Sequence, residues 1–477
     1  MTEQMPDQRT PGERLSDQRL PDRRISNSRV SALENVFRAL FLLYTGLGAC
    51  NLTYGRPVIT VVMYAAFLLG GAVLLVRLGQ WRRYIRMPLL ACAGLLLLSY
   101  VVSCAANRAY ITKLSFVFFI LWTFYFFILY TQAQDRTADD TLRDFRLFTI
   151  LFMVWVTALC LISLYMYFIG YASVYRDPNN ADYEVASGFF AGRLWGAFQD
   201  PIHGSVMCCS TLAMCVYWIH RRRTRWLRVL LGLDMAALLY YMALSDSRNG
   251  MVCLGVVCAV AVLFLWLGRT KSSAVRMAVQ CAVIAAVIFA VGLLLPKVIQ
   301  LANNRLVQDT GTFAAVDRGY DISGSLESFS NRRLDEWRSA VELGLARPLT
   351  GVSFTGVVPY ALEHLPETYI VNNDYWITNT LESEIFNTFA AQGFPGVIVL
   401  AAWAVLALRL FVKNIRRAVD GRRAETALLT AIVCELAVSA LFQGVILYQV
   451  TPSAVLFWTA FGTLMTVLAQ CGGKAAS

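Results

Sequence analysis

The sequence predicts an all-α, polytopic membrane protein of about twelve transmembrane helices, with a long, partly helical extracytoplasmic loop and both termini in the cytoplasm. Three observations carry that reading. The 477 residues are 57% hydrophobic and only 15% charged, whereas a soluble domain carries about 25% charge. Mean hydropathy is +0.54, and the apolar residues fall in runs of roughly 18–25, each long enough to cross ~30 Å of hydrocarbon. Lys and Arg, finally, concentrate in alternate linkers between those runs.

Residues 1–32 are rich in Pro, Asp and Arg, contain no apolar stretch, and read as a disordered cytoplasmic tail rather than a signal peptide. Residues 33–296 hold apolar spans at 34–51, 57–76, 87–106, 112–133, 147–170, 200–219, 227–245, 249–267 and 275–296. Glu34 and Arg38 make the first of these the least regular. Residues 297–383 form a polar loop with more acids than bases. Residues 384–470 hold further spans at 384–412, 424–446 and 451–470, and 471–477 form a second short tail. Inside the loop, Leu334, Trp337, Ala340, Val341 and Leu345 recur at helical spacing and stop at Pro348. The stretch "VPYALEHL", ended by Pro366, reads as a second short helix.

The net charge is +11 and the pI about 9.1, which in a soluble chain would suggest nucleic acid. The placement of the cations argues otherwise. If every span crosses once, the linkers "RLGQWRRYIR", "HRRRTRWLR", "GRTKSSAVR" and "KNIRRAVDGRR" share one side with the N-terminal tail. The short loops opposite hold only Arg56, or Arg108 with Lys113. The positive-inside rule assigns the dense side to the cytoplasm. The segment 171–199, the turn Ser247-Arg248-Asn249 and the loop 297–383 then lie outside. Of the twelve cysteines most sit in apolar runs and none in the polar loop, so they read as small apolar fillers. Neither metal-ligand spacing nor a phosphate-binding glycine loop or nucleophile elbow occurs, so neither metal nor cofactor is expected.

Three arginines fall at the outer face. Arg193 is in "AGRLWGAFQDP", Arg248 in "SDSRNGM" and Arg333 in "NRRLDEW". A guanidinium is permanently charged, and its fork of donors suits phosphate. Together these residues would suit a lipid-linked diphosphate; singly, each could snorkel or pair with an acid. Glu382 and Glu384 stand at the start of a span, where a carboxylate could take a proton from an attacking hydroxyl or cap the helix. Of the three histidines, His203 starts a span near Arg193, His220 opens a basic linker, and His364 lies in the loop; structural or solvated roles are expected for each. Trp195, Trp337 and Trp376, with Tyr369 and Tyr375, could stack on sugar rings or simply belong to an interfacial aromatic belt.

The order of these motifs resembles the bacterial O-antigen polymerase and O-antigen ligase superfamily over roughly residues 190–412. "GRLWGAFQDP" looks like its Arg-x-x-Gly segment, and "SDSRNGM" is similar to its Ser-Arg-Gly/Asn turn. "RRLDEWRSAVELGLARPLTGV" looks like its outer-loop pattern, with Arg333 before Trp337 and then Pro348 and Gly351. "AAQGFPG" resembles the Gly-x-x-Gly that opens the next span. The resemblance implies a glycosyltransferase of the bacterial cytoplasmic membrane, acting outside on undecaprenyl-diphosphate-linked oligosaccharides without nucleotide sugar or metal. It carries diphosphate binding over to Arg193, Arg248 and Arg333. A chain-length regulator and a flippase of the same pathway would be its partners. Two departures matter. Where ligases of the family carry a His-Asn pair this chain has Glu382-Ser383, and the Pro-Asn after the first motif is Pro201-Ile202. These favour a polymerase of O-antigen, capsule or exopolysaccharide units, with Glu382 the candidate base. A ligase, a flippase for the same lipid-linked sugar and a non-catalytic scaffold are the competing readings.

Overall fold

The computed structural model describes residues 20–177, 180–190, 192–267, 332–373 and 380–473, with isolated positions between 279 and 287. The predicted span 275–296, the loop stretch 297–331 and Trp376 therefore lie essentially outside the described residues. The helices are α1 (Leu20–Gly48), α2 (Pro57–Gly79), α3 (Leu90–Ala106), α4 (Lys113–Phe124, continued by a π-turn Tyr125–Tyr130), α5 (Ala138–Phe168), α6 (Pro201–Arg221), α7 (Arg225–Ser245), α8 (Arg248–Leu267), α9 (Arg333–Ala346), α10 (Val357–His364), α11 (Glu384–Ser439) and α12 (Pro452–Gly473). Among the described residues nine helices are long and apolar enough to cross a membrane. The chain is an all-α membrane protein, with one small sheet among the described residues.

The core sits on α12 and α6, whose apolar windows are 83% and 78% buried, whereas α2 is only 17% buried. Burying α12 requires its hydroxyls to be satisfied. Thr459, Thr463 and Thr466 each donate back to the carbonyl four residues earlier, at Val455, Thr459 and Gly462. Gly462 has no side chain because the Tyr130 carbonyl of the π-turn lies 2.0 Å from where a Cβ would be. Aromatic rings of Phe126, Tyr130, Trp403, Trp458 and Phe461 fill the space around that crossing. The described cysteines are free thiols, most of them buried, in keeping with a filler role.

Polar contacts sort the connecting segments into two ends. At one end Arg83 pairs with Asp135 at 2.7 Å, Arg422 with Asp139 at 2.9 Å and Arg221 with Glu425 at 2.7 Å, and Arg423 reaches the carbonyl of Phe264 at 2.8 Å. Three of the four cation-dense linkers thus meet; the fourth, 268–276, lies outside the described residues. At the other end Asn51 donates to the carbonyls of Ala186 and Phe198, Asn107 to that of Gly351 and Arg193 to that of Ser245. The loop segments separate as their cation content predicts.

Four differences from the sequence reading have clear causes. The helix α1 begins at Leu20, inside the segment expected to be a disordered tail. Glu34 and Arg38 do not interrupt it, because both turn inward: Glu34 meets Arg77 at 2.7 Å and Arg136 at 3.6 Å, and Arg38 donates to Asn35 and Gln132. The segment 171–199, where an all-α reading places no strand, forms a three-stranded antiparallel sheet of β1 (Ala172–Asp177), β2 (Asn180–Phe190) and β3 (Arg193–Gly196) in the order β1-β2-β3. β2 is bulged at Gly188, which has positive φ, and β1 and β3 are short, so the apolar pattern hid them.

The fourth difference concerns the spans predicted at 384–412 and 424–446. They are the two limbs of α11, which leaves helical geometry at Arg422 between them and at Gly393 inside the first. The amide of Glu384 donates to the carbonyl of Ala440 at 2.8 Å, so the element folds back on itself as a hairpin of two limbs. Its second limb stops at Ser439, and a non-helical apolar segment runs from there to Thr451. Backbone of that kind is tolerated at membrane depth only when protein satisfies it. Trp458 and Trp122 donate to the carbonyls of Ile446 and Leu447, while Glu384 Oε1 accepts from both their amides at 2.6 and 2.8 Å. Glu384 therefore braces this turn rather than capping its own helix. Glu384→Ala leaves two buried amides unpaired, and at about 1–3 kcal/mol each the detergent-solubilised protein should melt several degrees lower; Glu384→Gln, which keeps an acceptor oxygen, should lose less.

Candidate functional site

The end opposite the cation-dense linkers gathers six of the seven sequence-chosen site residues on neighbouring elements, beginning with the turn between α7 and α8. Asp246 ends α7 in the left-handed region at φ 47°. Ser247 then accepts from the Gly250 amide and starts α8, and Asn249 turns inward to Ser439 at 2.9 Å and Gln443 at 3.1 Å. Both neighbours of Arg248 are buried, and Arg248 between them is half-buried. Gly250 is required here because Ser205 Oγ of α6 lies 1.9 Å from the position of a Cβ. Arg193, at the head of β3 and 8% exposed, donates through Nε to the Ser245 carbonyl at 2.8 Å. The structure therefore brings Arg193 to the turn that carries Arg248.

The second half comes from the outer loop. Arg333 begins α9 just after Arg332, itself at φ 64°, and its guanidinium lies 3.7 Å from Glu382. Glu382 also adopts a left-handed backbone, φ 42°, a conformation that costs a non-glycine residue roughly 1–2 kcal/mol. Such strain collects at functional sites. Burial pushes the Glu382 carboxyl upward; Arg333 opposes the shift, Asp200 adds to it, and His203 and the Thr380 hydroxyl oppose it. Asp200, the cap of α6, and His203, in its first turn, thus face Glu382 electrostatically.

Glu336, one turn after Arg333 and on the same face, was not singled out by the sequence. Burial first, then the charge of Glu382, pushes its carboxyl up to about 8 against the pull of Arg333. Among the described residues its Oε2 is buried without a hydrogen-bond partner, as are His203 Nε2, Trp195 Nε1 and Trp337 Nε1. Four such atoms at one end form a surface that a polar ligand could satisfy. The available signal was an acid one helical turn beyond a site arginine. Trp337 stacks on Phe386 at 5.0 Å, so one face of its ring is already covered. Trp195 offers its carbonyl to the Tyr241 hydroxyl at 3.3 Å. His364 meets the Tyr110 hydroxyl at 3.1 Å and packs on Tyr360, a structural role.

The glycine motif explains how the loop docks. Pro395 has no amide, so the Ala391 carbonyl loses its helical partner. It accepts instead from the Ser103 hydroxyl and the Ser353 amide. The Phe394 amide turns to the carbonyl of Pro348 at 2.8 Å, and the freed Ala390 carbonyl takes the Val352 amide at 2.8 Å. Gly393, at φ 65°, and Gly351, at φ 60°, permit the approach. Pro348, Gly351 and the Gly-x-x-Gly segment thus form one joint, under which Ala340, Leu343, Val357 and Leu381 make a second small core.

Residues 233–401 match the family model for O-antigen ligase. That match supports the O-antigen ligase and polymerase superfamily. It takes in Arg248, Arg333, Glu336, Glu382 and the Gly393 joint, while Arg193 and the sheet lie upstream of it. No curated protein matches the chain.

Proposed function

We propose that the chain is a polymerase of surface polysaccharide, O-antigen, capsule or exopolysaccharide, working on undecaprenyl-diphosphate-linked oligosaccharides at the outer face of the bacterial cytoplasmic membrane. The observation that carries this reading is the convergence of Arg193 on the Arg248 turn, beside the Arg333–Glu382 pair and its unpartnered polar atoms. Arginines so placed would hold the donor's diphosphate and offset the charge it gains as it leaves. The acceptor hydroxyl attacks the donor's anomeric carbon, the bond to the diphosphate breaks with its electron pair, and Glu382 takes the hydroxyl proton. The gathering of the cation-dense linkers at the opposite end supports the outward orientation. A second reading, a ligase that moves the glycan to another acceptor, is favoured by the description of the matched family. Glu382-Ser383 in place of His-Asn argues for the polymerase.

The test supplies purified protein with undecaprenyl-diphosphate-linked repeat units as sole substrate. A ladder of products supports the polymerase; donor turnover only when a second acceptor is added supports the ligase; a lack of turnover with any acceptor contradicts both.

A pH prediction follows from Glu336. Its carboxyl, at about 8, is neutral at pH 7 and adds no negative charge beside Arg333. Above about pH 8 it ionises and repels the donor's diphosphate. KM for the donor should rise as pH passes from 7 to 9 in wild type and stay flat in Glu336→Gln.

A further inference from the structure

The first turn of α6 holds two titratable groups, Asp200 and His203, to which the proposed reaction gives no part. Asp200 caps the helix, accepting from the Ile202 amide at 2.6 Å, and His203 follows within one turn. The two residues after His203 are committed to packing. A Cβ on Gly204 would lie 2.5 Å from the Tyr241 hydroxyl, and Ser205 Oγ lies against Gly250 of α8. His203 makes no such fixed contact through Nε2, which is buried and, among the described residues, has no hydrogen-bond partner. A ring nitrogen buried for a structural purpose is normally hydrogen-bonded. This one has room for a partner that comes and goes.

The register of α6 against α11 fixes where His203 stands. Arg221 at the far end of α6 pairs with Glu425 at 2.7 Å, and Ser210 donates to both carboxylate oxygens of Glu435 at 3.1 Å. The second limb of α11 therefore runs antiparallel to α6, residue for residue. His203 lies two turns before Ser210 on the same face, about 10 Å nearer the site. At that level the second limb has just ended. There the Ala440 carbonyl holds the amide of Glu384 at 2.8 Å, and Glu382 leads in beside it. The electrostatics agree. Behind burial, which raises the pKa of the Glu382 carboxyl, and Arg333, which lowers it, Asp200 raises it and His203 lowers it.

We infer that His203 is the residue through which Glu382 is recycled: it takes over the proton that the acceptor hydroxyl has given to Glu382, and Asp200 stabilises the imidazolium so formed. The inference rests on the reading under Proposed function and adds to it the fate of the proton. The O–H bond of the protonated carboxyl breaks as an N–H bond forms on the imidazole. Glu382 is left as a carboxylate facing Arg333, and the imidazolium then passes its proton to water. A buried carboxyl holds a proton tightly, because burial disfavours its charged form. Imidazole suits the next step because it gains and loses a proton near neutral pH. His203 thus acts through Glu382 rather than on the sugar.

The test follows polyprenyl diphosphate released by the purified full chain from a polyprenyl-diphosphate-linked oligosaccharide, in the first turnover and over many. His203→Gln keeps a polar side chain but takes up no proton. It should release about one equivalent near the wild-type rate and then slow by about tenfold or more. Its kcat and donor KM should fall together, with kcat/KM kept. His203→Ala should behave alike and recover when imidazole is added to the buffer, a response that a merely structural loss does not give. Asp200→Asn keeps the helix cap and repeats the test without touching the ring; only its later turnovers should slow, by a smaller factor. Glu382→Gln, in contrast, should lose the first turnover as well. Wild-type turnover in His203→Gln overturns the inference. So does an equal loss of first and later turnovers in the His203 variants with no response to imidazole. Either result leaves the arginine site standing. Absence of release from wild type contradicts the functional reading itself.

Discussion

Replacing Arg248 with alanine should reduce release of polyprenyl diphosphate from the donor by about 10²–10³-fold, the usual cost of removing one donor that stabilises developing charge. The protein should still reach the membrane and melt close to wild type. The turn that carries Arg248 is held by its neighbours, Ser247 on the Gly250 amide and Asn249 on Ser439 and Gln443. Arg248→Lys should recover little, because a point charge does not replace a planar fork. Arg193→Ala should fail as badly but is a less clean experiment. Arg193 is buried and donates to the Ser245 carbonyl, so its loss also loosens the end of α7. Rates from purified protein, set beside melting temperatures, separate the two effects. Full activity in Arg248→Ala would remove the diphosphate clamp from the account.

Glu382→Gln should lower turnover by about 10²–10⁴-fold, the range of a general base, with a smaller change in donor KM. Glutamine keeps the shape and the Thr380 contact at 3.3 Å but cannot accept a proton. The carboxylate is held by Arg333 at 3.7 Å, and burial raises its pKa, which suits a base that must take a proton near neutral pH. Glu382→Asp, with the carboxylate withdrawn by one methylene, should retain intermediate activity. If instead Glu382→Gln turns over normally and merely melts lower, the residue is a brace for α9 and the base lies elsewhere.

Much of this arrangement was legible in the sequence, for identifiable reasons. Long apolar runs and the Lys/Arg asymmetry are collective signals, so the helices and the two ends could be read from them. Arg193, Arg248 and Arg333 stood out because a charge beside an apolar span is costly enough to demand a cause. The sheet was invisible because β1 and β3 are short and β2 is bulged at Gly188. The break at Gly393 went unread inside the span 384–412 because the partners that satisfy it, Pro348, Ser103 and Ser353, lie on other elements. Glu336 was missed because its distinction lies in what surrounds it, an unpartnered buried oxygen beside Glu382, and burial cannot be read from a lone acid in a polar loop. The bracing role of Glu384, read only as a possible base or helix cap, could not be seen because its partners, Ile446 and Leu447, lie on another element.

The most direct test of the proposed site measures polyprenyl diphosphate released by purified protein from a polyprenyl-diphosphate-linked oligosaccharide, wild type beside Arg248→Ala. This product is common to polymerase and ligase, so the result does not depend on the acceptor. Steady release by wild type with loss of at least about 10²-fold in the variant is the expected outcome. Equal rates from the two folded proteins, or no release from wild type with any acceptor supplied, would contradict the claim that the outer arginines act on a lipid diphosphate.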